Sequence, residues 1–161
     1  MSAQLTPTHG HDEPMTLAAL DEVVAIEQAA YAFPWSRGNF IDSLAAGYEA
    51  ELRRDAAAGG LLGYWVAMPG VGELHLLNLT VVPAQQRRGL GHALLDRVMQ
   101  RARELQLASL WLEVRPSNER ACGLYLRRGF TLAGRRRGYY PGPGSTREDA
   151  LVMHLGIDDA Q

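Results

Sequence analysis

Leu79-Thr80-Val81-Val82-Pro83-Ala84-Gln85-Gln86-Arg87-Arg88-Gly89-Leu90-Gly91 is the stretch on which the reading of this chain turns. An apolar strand runs into a proline-stopped turn, then a Gln-Arg-Arg-Gly-Leu-Gly loop, then an amphipathic helical pattern. That order builds an anion site. The N–H groups of a helix's first turn have no intrahelical acceptor, and the helix dipole adds positive potential at the same end. Gly89 and Gly91 let a ligand approach the backbone closely because no Cβ intervenes, while Arg87 and Arg88 place charge on the rim. A pyrophosphate is the natural occupant.

Three kinds of pyrophosphate-bearing cofactor compete for such a loop. The nucleotide P-loop requires a lysine after its second glycine, and all sixteen basic residues of this chain are arginine. The dinucleotide fingerprint Gly-x-Gly-x-x-Gly/Ala begins well at Gly89 and Gly91, and Glu113 is spaced as its acidic partner, but the third position is Leu94 and no second αβ repeat follows. The third pattern, Gln/Arg-x-x-Gly-x-Gly/Ala between strand and helix, is met at every position by Gln86, Gly89 and Gly91. It resembles the coenzyme A pyrophosphate loop of the GNAT acetyltransferases.

Composition narrows the alternatives. At 161 residues, with 47% hydrophobic and 21% charged, the chain holds enough apolar surface for one ordinary core. No run is long enough to cross a bilayer and no signal-peptide core follows Met1. Residues 1–14 are polar and are expected to form a disordered tail, with one domain over 15–157. His9 and His11 lie in that tail without partnered ligands, so no metal site is expected. Cys122 is the single cysteine, which rules out a disulfide framework and makes a reducing, cytoplasmic setting the default expectation. Residues 1–84 carry ten acids against three arginines, a balance of −7; residues 85–161 carry thirteen arginines against eight acids, a balance of +5. The basic half contains the anion loop, and the acidic half favours a cationic acceptor. Solvated surface charge with no role explains the asymmetry equally well.

The periodicities predict a short strand at Met15–Ala18, then a helix over Leu20–Ala30 with Leu20, Val23, Val24, Ile26 and Ala30 on one face. Phe33-Pro34-Trp35 breaks it, and Ser36 caps a second helix. Strands are expected at 48–55, 61–68 and 73–82, a helix at 91–105, a strand at 109–115, a helix at 117–128, and strands at 130–136 and 150–155. The fold class is therefore α/β (α+β), a mixed, mostly antiparallel sheet of about seven strands with about four helices.

Ser109–Arg115 alternates by period two, which places Leu110, Leu112 and Val114 on one side and Trp111, Glu113 and Arg115 on the other. Glu113 is thus a carboxylate within an apolar strand, where burial raises its pKa unless it is paired; a structural ion pair is the plainer alternative. On the next helix, Asn118, Cys122 and Tyr125 share a stripe. Tyr125 can donate a proton to a leaving thiolate or serve as a core aromatic. Cys122 reads as core filling, since no histidine adjoins it in sequence.

Leu110-Trp111-Leu112-Glu113-Val114-Arg115-x-Ser117-Asn118, Leu124-Tyr125 and Gly129-Phe130 together resemble the RimI-like ribosomal-protein alanine N-acetyltransferases of the GNAT superfamily. Ala32-Phe33-Pro34-Trp35-Ser36, Asn78-Leu79-Thr80-Val81 and Tyr139-Tyr140-Pro141 with Arg147-Glu148-Asp149-Ala150 carry the same likeness, which spans residues 17–155. The resemblance implies a GNAT fold and an acetyl-CoA-dependent transfer to the α-amine of an N-terminal alanine of a small-subunit ribosomal protein. It implies Glu113 as general base and Tyr125 as general acid. It further implies that Leu79, Thr80 and Val81 offer backbone groups to pantetheine, with a strand N–H near Val81 stabilising the oxyanion. Arg87, Arg88, Gly89, Leu90, Gly91 and His92 would hold the pyrophosphate, and Asn118 would contact the cofactor. The loops bearing Phe33–Trp35 and Tyr139–Tyr140 would frame the acceptor groove. Gly142-Pro143-Gly144 departs from the pattern and makes the second of these loops rich in glycine and proline. Two other readings stay open: a small-amine acetyltransferase of the same fold, and a non-catalytic acetyl-CoA-binding module. No membrane partner is expected. The Arg135–Arg137 cluster reads as a solvated flank rather than a nucleic-acid contact.

Overall fold

The computed structural model describes residues 10–86 and 89–157. Seven strands are joined in one mixed sheet: β1 Gly10–Pro14, β2 Glu49–Asp55, β3 Leu61–Pro69, β4 Glu73–Val81, β5 Ser109–Val114, β6 Thr131–Pro141 and β7 Arg147–Gly156. Their order is β1-β2-β3-β4-β5-β7-β6. The pairs β1–β2, β2–β3, β5–β7 and β6–β7 are antiparallel, whereas β4–β5 is parallel. Four α-helices are described: α1 Leu20–Ala30, α2 Arg37–Ala45, α3 Leu90–Glu104 and α4 Glu119–Arg127. Connecting the parallel strands through α3 follows the rule that parallel neighbours need a helical crossover.

The chain separates into two compact units, residues 1–68 with 78–98 and residues 69–77 with 99–161; β4 and α3 run through both. In the first unit β3 is buried continuously from Leu61 to Ala67, and Tyr64, Trp65, Phe40, Leu20, Leu52, Leu94 and Leu95 fill the core. Each such apolar side chain contributes about 1.5–3 kcal/mol through burial. In the second unit Leu74, Leu76, Leu110, Leu112, Phe130, Met153 and Ala102 play the same part. The inward alternation of β5 matches its sequence pattern: Leu110, Leu112 and Val114 are buried.

α2 starts as its sequence dictates. Ser36 accepts from the Asn39 N–H at 3.1 Å, and the Asn39 side chain returns to the Ser36 N–H at 2.9 Å; a cap of this kind contributes about 1 kcal/mol. α1 differs from its apolar face in one respect: its buried residues are Leu20, Val23 and Glu27.

The amino-terminal expectation needs correction. Gly10–Pro14 is a strand paired to Pro14↔Glu51 through Gly10↔Asp55, not part of a disordered tail, and Met15–Ala18 is not a strand; a single 3-10 turn occupies Leu17–Ala19. The polarity of the segment misled because an edge strand needs only backbone pairing on one side. Here cross-strand ion pairs, Asp12 with Arg53 at 3.1 Å and Glu13 with Arg54 at 3.0 Å, take the place of apolar contacts. Residues 1–9 of the expected tail lie outside the described residues. β6 also runs past the expected end at Arg136. It is interrupted by a register shift between Arg136 and Tyr140, where Gly138 takes φ +55°, a value glycine adopts without a Cβ clash.

Candidate active site

Glu113 is the centre of the chemistry that the second unit can offer. Its side chain is 7% exposed and sits between two cations or potential cations: Oε1 is 2.6 Å from His75 Nε2, and Oε2 is 3.2 Å from Arg136 Nε. A carboxylate only accepts, so His75 donates through a protonated Nε2. Burial pushes the Glu113 carboxyl up, but the bonds and charges of His75 and Arg136 outweigh it and hold it below the ordinary value. Of the two readings the sequence leaves open, a raised carboxyl or an ion pair, the side chain takes the paired one, ionised at neutral pH.

His75 was not singled out from sequence. It is brought to Glu113 by the parallel ladder, in which His75 faces Trp111 and Leu76 faces Leu112. The only local signal was its place at an odd position of β4, on the side opposite the buried Leu74, Leu76 and Asn78.

Two tyrosines stand close to this carboxylate. Tyr139 and Tyr140 pack edge to face at 4.9 Å. The Arg136 guanidinium lies 5.6 Å from the Tyr139 ring centre and that of Arg115 lies 4.4 Å from Tyr140's. Burial, and then the Glu113 charge, raises the Tyr139 phenol; burial and the Tyr139 phenol raise Tyr140 further. Both are neutral donors at working pH. Their backbone is held by the Arg-Glu-Asp run that begins β7. Arg147 donates to the Gly138 and Tyr139 carbonyls, each at 3.0 Å, and Asp149 accepts from the Gly138 N–H at 2.9 Å. Glu148 accepts from Arg115 and from the Ser117 N–H and hydroxyl, while Arg115 also donates to the Pro141 carbonyl at 2.9 Å.

Of the α4 candidates, Asn118 is the N-cap and accepts from the Ala121 N–H at 3.2 Å. Tyr125 is buried and meets Phe130 edge to face at 5.4 Å. Cys122 is half-buried, and burial pushes its thiol up, the opposite of what an activated nucleophile needs.

The segment expected to bind an anion belongs to the first unit. Pro83–Gln85 forms a 3-10 turn, Gly89 takes φ +78°, and α3 begins at Leu90. Among the described residues, the Ala93 N–H donates to the Gly89 carbonyl at 3.2 Å at the head of this helix. A Cβ built on Gly89 would meet nothing within 4 Å. This arrangement fits an anion against the backbone. Arg87 and Arg88, assigned to the same loop, lie outside the described residues. Leu79, Thr80 and Val81 end β4 beyond the ladder to β5, which covers Glu73–Leu76.

The sequence model of the acetyltransferase (GNAT) family matches residues 20–130. The chain belongs to the GNAT family. That match spans residues of both compact units, and the seven-stranded mixed sheet with four helices is the GNAT fold. The [ribosomal protein bS18]-alanine N-acetyltransferase of Escherichia coli K12 is 40% identical over 133 residues, covering 82% of this chain and 87% of the relative. The crystal structure of the ribosomal-protein-S18-alanine N-acetyltransferase from Escherichia coli superposes with a TM-score of 0.83 at 35% identity, covering 92% of this chain and 94% of that one. The fold is also shared with a Sinorhizobium meliloti phosphinothricin acetyltransferase solved in complex with acetyl-CoA, at TM-score 0.76 and 17% identity over 94% and 90% of the two chains. As a GNAT protein this chain is an acetyl-CoA-dependent acyltransferase. Among the described residues no group of His, Cys, Asp or Glu is arranged to hold a metal, and no helix is long and apolar enough to cross a membrane.

Proposed function

We propose that this enzyme transfers the acetyl group of acetyl-CoA to the α-amine of the N-terminal alanine of ribosomal protein bS18. The observation that carries the proposal is the buried Glu113 carboxylate, bonded to His75 and Arg136. The 40% identity to a bS18-alanine N-acetyltransferase over most of both chains supplies the acceptor. A ribosomal-protein acceptor and a single unpaired cysteine both favour a cytoplasmic setting.

When bound, acetyl-CoA supplies a thioester carbonyl as electrophile. Glu113 takes the proton that the α-ammonium must lose before it can attack, directly or through one water. An α-amine has a pKa near 8 against about 10.4 for a lysine, so delivering it as the free base costs roughly 3 kcal/mol less at fixed pH. His75 fixes the Glu113 carboxylate in place, and Arg136 offsets its charge until the cationic acceptor arrives. Tyr125 returns a proton to the leaving thiolate. The N–H groups of Gly89, Leu90, Gly91 and His92, with Arg87 and Arg88, hold the pyrophosphate. Leu79, Thr80 and Val81 bind pantetheine through backbone groups, the Val81 N–H facing the developing oxyanion. Asn118 touches the cofactor from the head of α4.

Mass spectrometry of peptides incubated with the protein and acetyl-CoA tests this reading. One peptide begins Ala-Arg; its twin is blocked at the α-amine and carries an internal lysine. Acetylation of the free alanine alone is the expected result. No transfer to either peptide, with acetyl-CoA still bound, overturns it in favour of a small-amine acceptor or a binding module.

A further inference from the structure

Glu27 is the one acid of the first unit that lies in the core, 2% exposed on α1. It accepts three hydrogen bonds, all from neutral donors: Tyr64 Oη at 2.7 Å and Asn78 Nδ2 at 3.1 Å on Oε1, and the Trp35 backbone N–H at 2.9 Å on Oε2. The bonds continue outward. The Thr80 hydroxyl donates to Asn78 Oδ1 at 2.7 Å. Tyr31 Oη lies 2.8 Å from the Thr80 hydroxyl and 3.3 Å from the Leu79 carbonyl, to which it donates. The directed chain Thr80 to Asn78 therefore ends on Glu27, which acts as its acceptor.

Stability alone does not account for an acid here. Leu20 and Val23 precede it on the same face, and an apolar residue at 27 would complete that face without the cost of burying a charge. What only a carboxylate supplies is two acceptor oxygens aimed at two segments. One holds Asn78, and through it Thr80, on β4. The other holds the backbone of Trp35, whose ring packs 5.0 Å from Phe40 and whose neighbour Phe33 is exposed. We propose that Glu27 is a positioning residue that sets the Phe33–Trp35 loop and the Asn78–Thr80 strand segment in one register, which fixes where the acceptor peptide binds. The inference rests on the acetyl-transfer reading above.

Glu27→Gln tests it atom by atom. The amide oxygen can still accept from Tyr64 and Asn78, but the NH2 then opposes the Trp35 N–H and releases the loop. The Michaelis constant for the Ala-Arg peptide should rise about tenfold, while kcat and the acetyl-CoA dissociation constant stay within about twofold. Tyr64→Phe removes a donor from Oε1 alone and should leave the peptide constant within about twofold. An unchanged peptide constant in Glu27→Gln, or an equal loss in acetyl-CoA affinity, overturns the proposal. Should Glu27→Gln not fold, hydrogen exchange at the Trp35 amide of the unaltered protein decides. Protection of at least about a hundredfold supports the anchor and exchange at the unprotected rate removes it. Failure of the unaltered enzyme to acetylate the peptide marks failure of the underlying reading, and it is seen before any variant is made.

Discussion

His75 Nε2 and Glu113 Oε1 are 2.6 Å apart although 38 positions separate the two residues in the chain. The pair exists because β4 and β5 are parallel and in register from Glu73↔Ser109 to Leu76↔Leu112. If Glu113 removes the ammonium proton, Glu113→Gln lowers kcat about 10²–10⁴-fold and leaves acetyl-CoA affinity unchanged by calorimetry. His75→Gln should lower kcat less, by about 10–100-fold, the loss expected for one hydrogen bond to a charged group. Equal losses in the two variants would instead make His75 the base.

The pH dependence follows from the sign of the Glu113 shift. A carboxyl held below its ordinary value is already ionised throughout the working range. With the ammonium as the form that binds, kcat/KM should stay flat from just above the lowered Glu113 value up to the peptide's α-amine, near 8; a rise that tracks the amine would mean that the free amine binds and would remove the base role. Arg136→Gln removes one of the groups that lowers Glu113, so any acid limb should move upward in that variant.

Tyr125 is buried against Phe130, and its proposed part is to protonate the thiolate. Tyr125→Phe should lower kcat about a hundredfold or more with little change in acetyl-CoA binding. Weakened binding with an unchanged kcat would reassign it as a packing residue.

Arg147 donates two bonds to the backbone that carries Tyr139. Arg147→Ala should raise the peptide Michaelis constant about tenfold, as expected when such bonds to a charged group are lost, and should spare acetyl-CoA binding. Steady-state kinetics with each substrate varied in turn separates the two effects.

Acid should destabilise the fold. Glu13, Asp55, Glu113, Glu148 and Asp149 all have folded values below their ordinary ones. The stabilisation of such groups is present above the unfolded pKa, about 4, and is lost as pH falls through the lower folded value. Urea midpoints measured from pH 7 to pH 3 should fall mainly below about pH 4.5. A flat profile across that window would mean these contacts persist in the unfolded chain.

Much of the architecture was legible because its signals were local. α1 is bounded by Leu20 and Ala30 as its periodicity requires. Ser36 caps α2, Pro83 opens the 3-10 turn that follows β4, and Gly89 takes its positive φ just before α3. Glu113 stood out as a lone acid in an apolar strand. What escaped was non-local. His75 meets Glu113 only once the parallel register is known, and Arg136 arrives from an antiparallel strand with β7 between. Glu27 was passed over because an acid within a helix usually marks its solvent face, whereas here it completes the stripe begun by Leu20 and Val23. The acidic excess of the first 84 residues suggests a field for a cationic acceptor. A good part of it is tied locally: Asp21 pairs with Arg37, Glu22 with Arg54, and Glu51 with Arg97.

The edge position of β1 has a practical side. β2 carries a full row of backbone donors and acceptors toward Gly10–Pro14, and a chain shortened to begin at Met15 would leave that row open. Bare strand edges recruit other strands, and the shortening replaces the five-residue edge of β1 with the longer, seven-residue edge of β2. Such a shortened protein should therefore self-associate and come out of solution at concentrations the intact chain tolerates, even with every residue of the proposed site in place. Removing a polar-looking leader to tidy the enzyme for crystallisation would then produce aggregates rather than crystals.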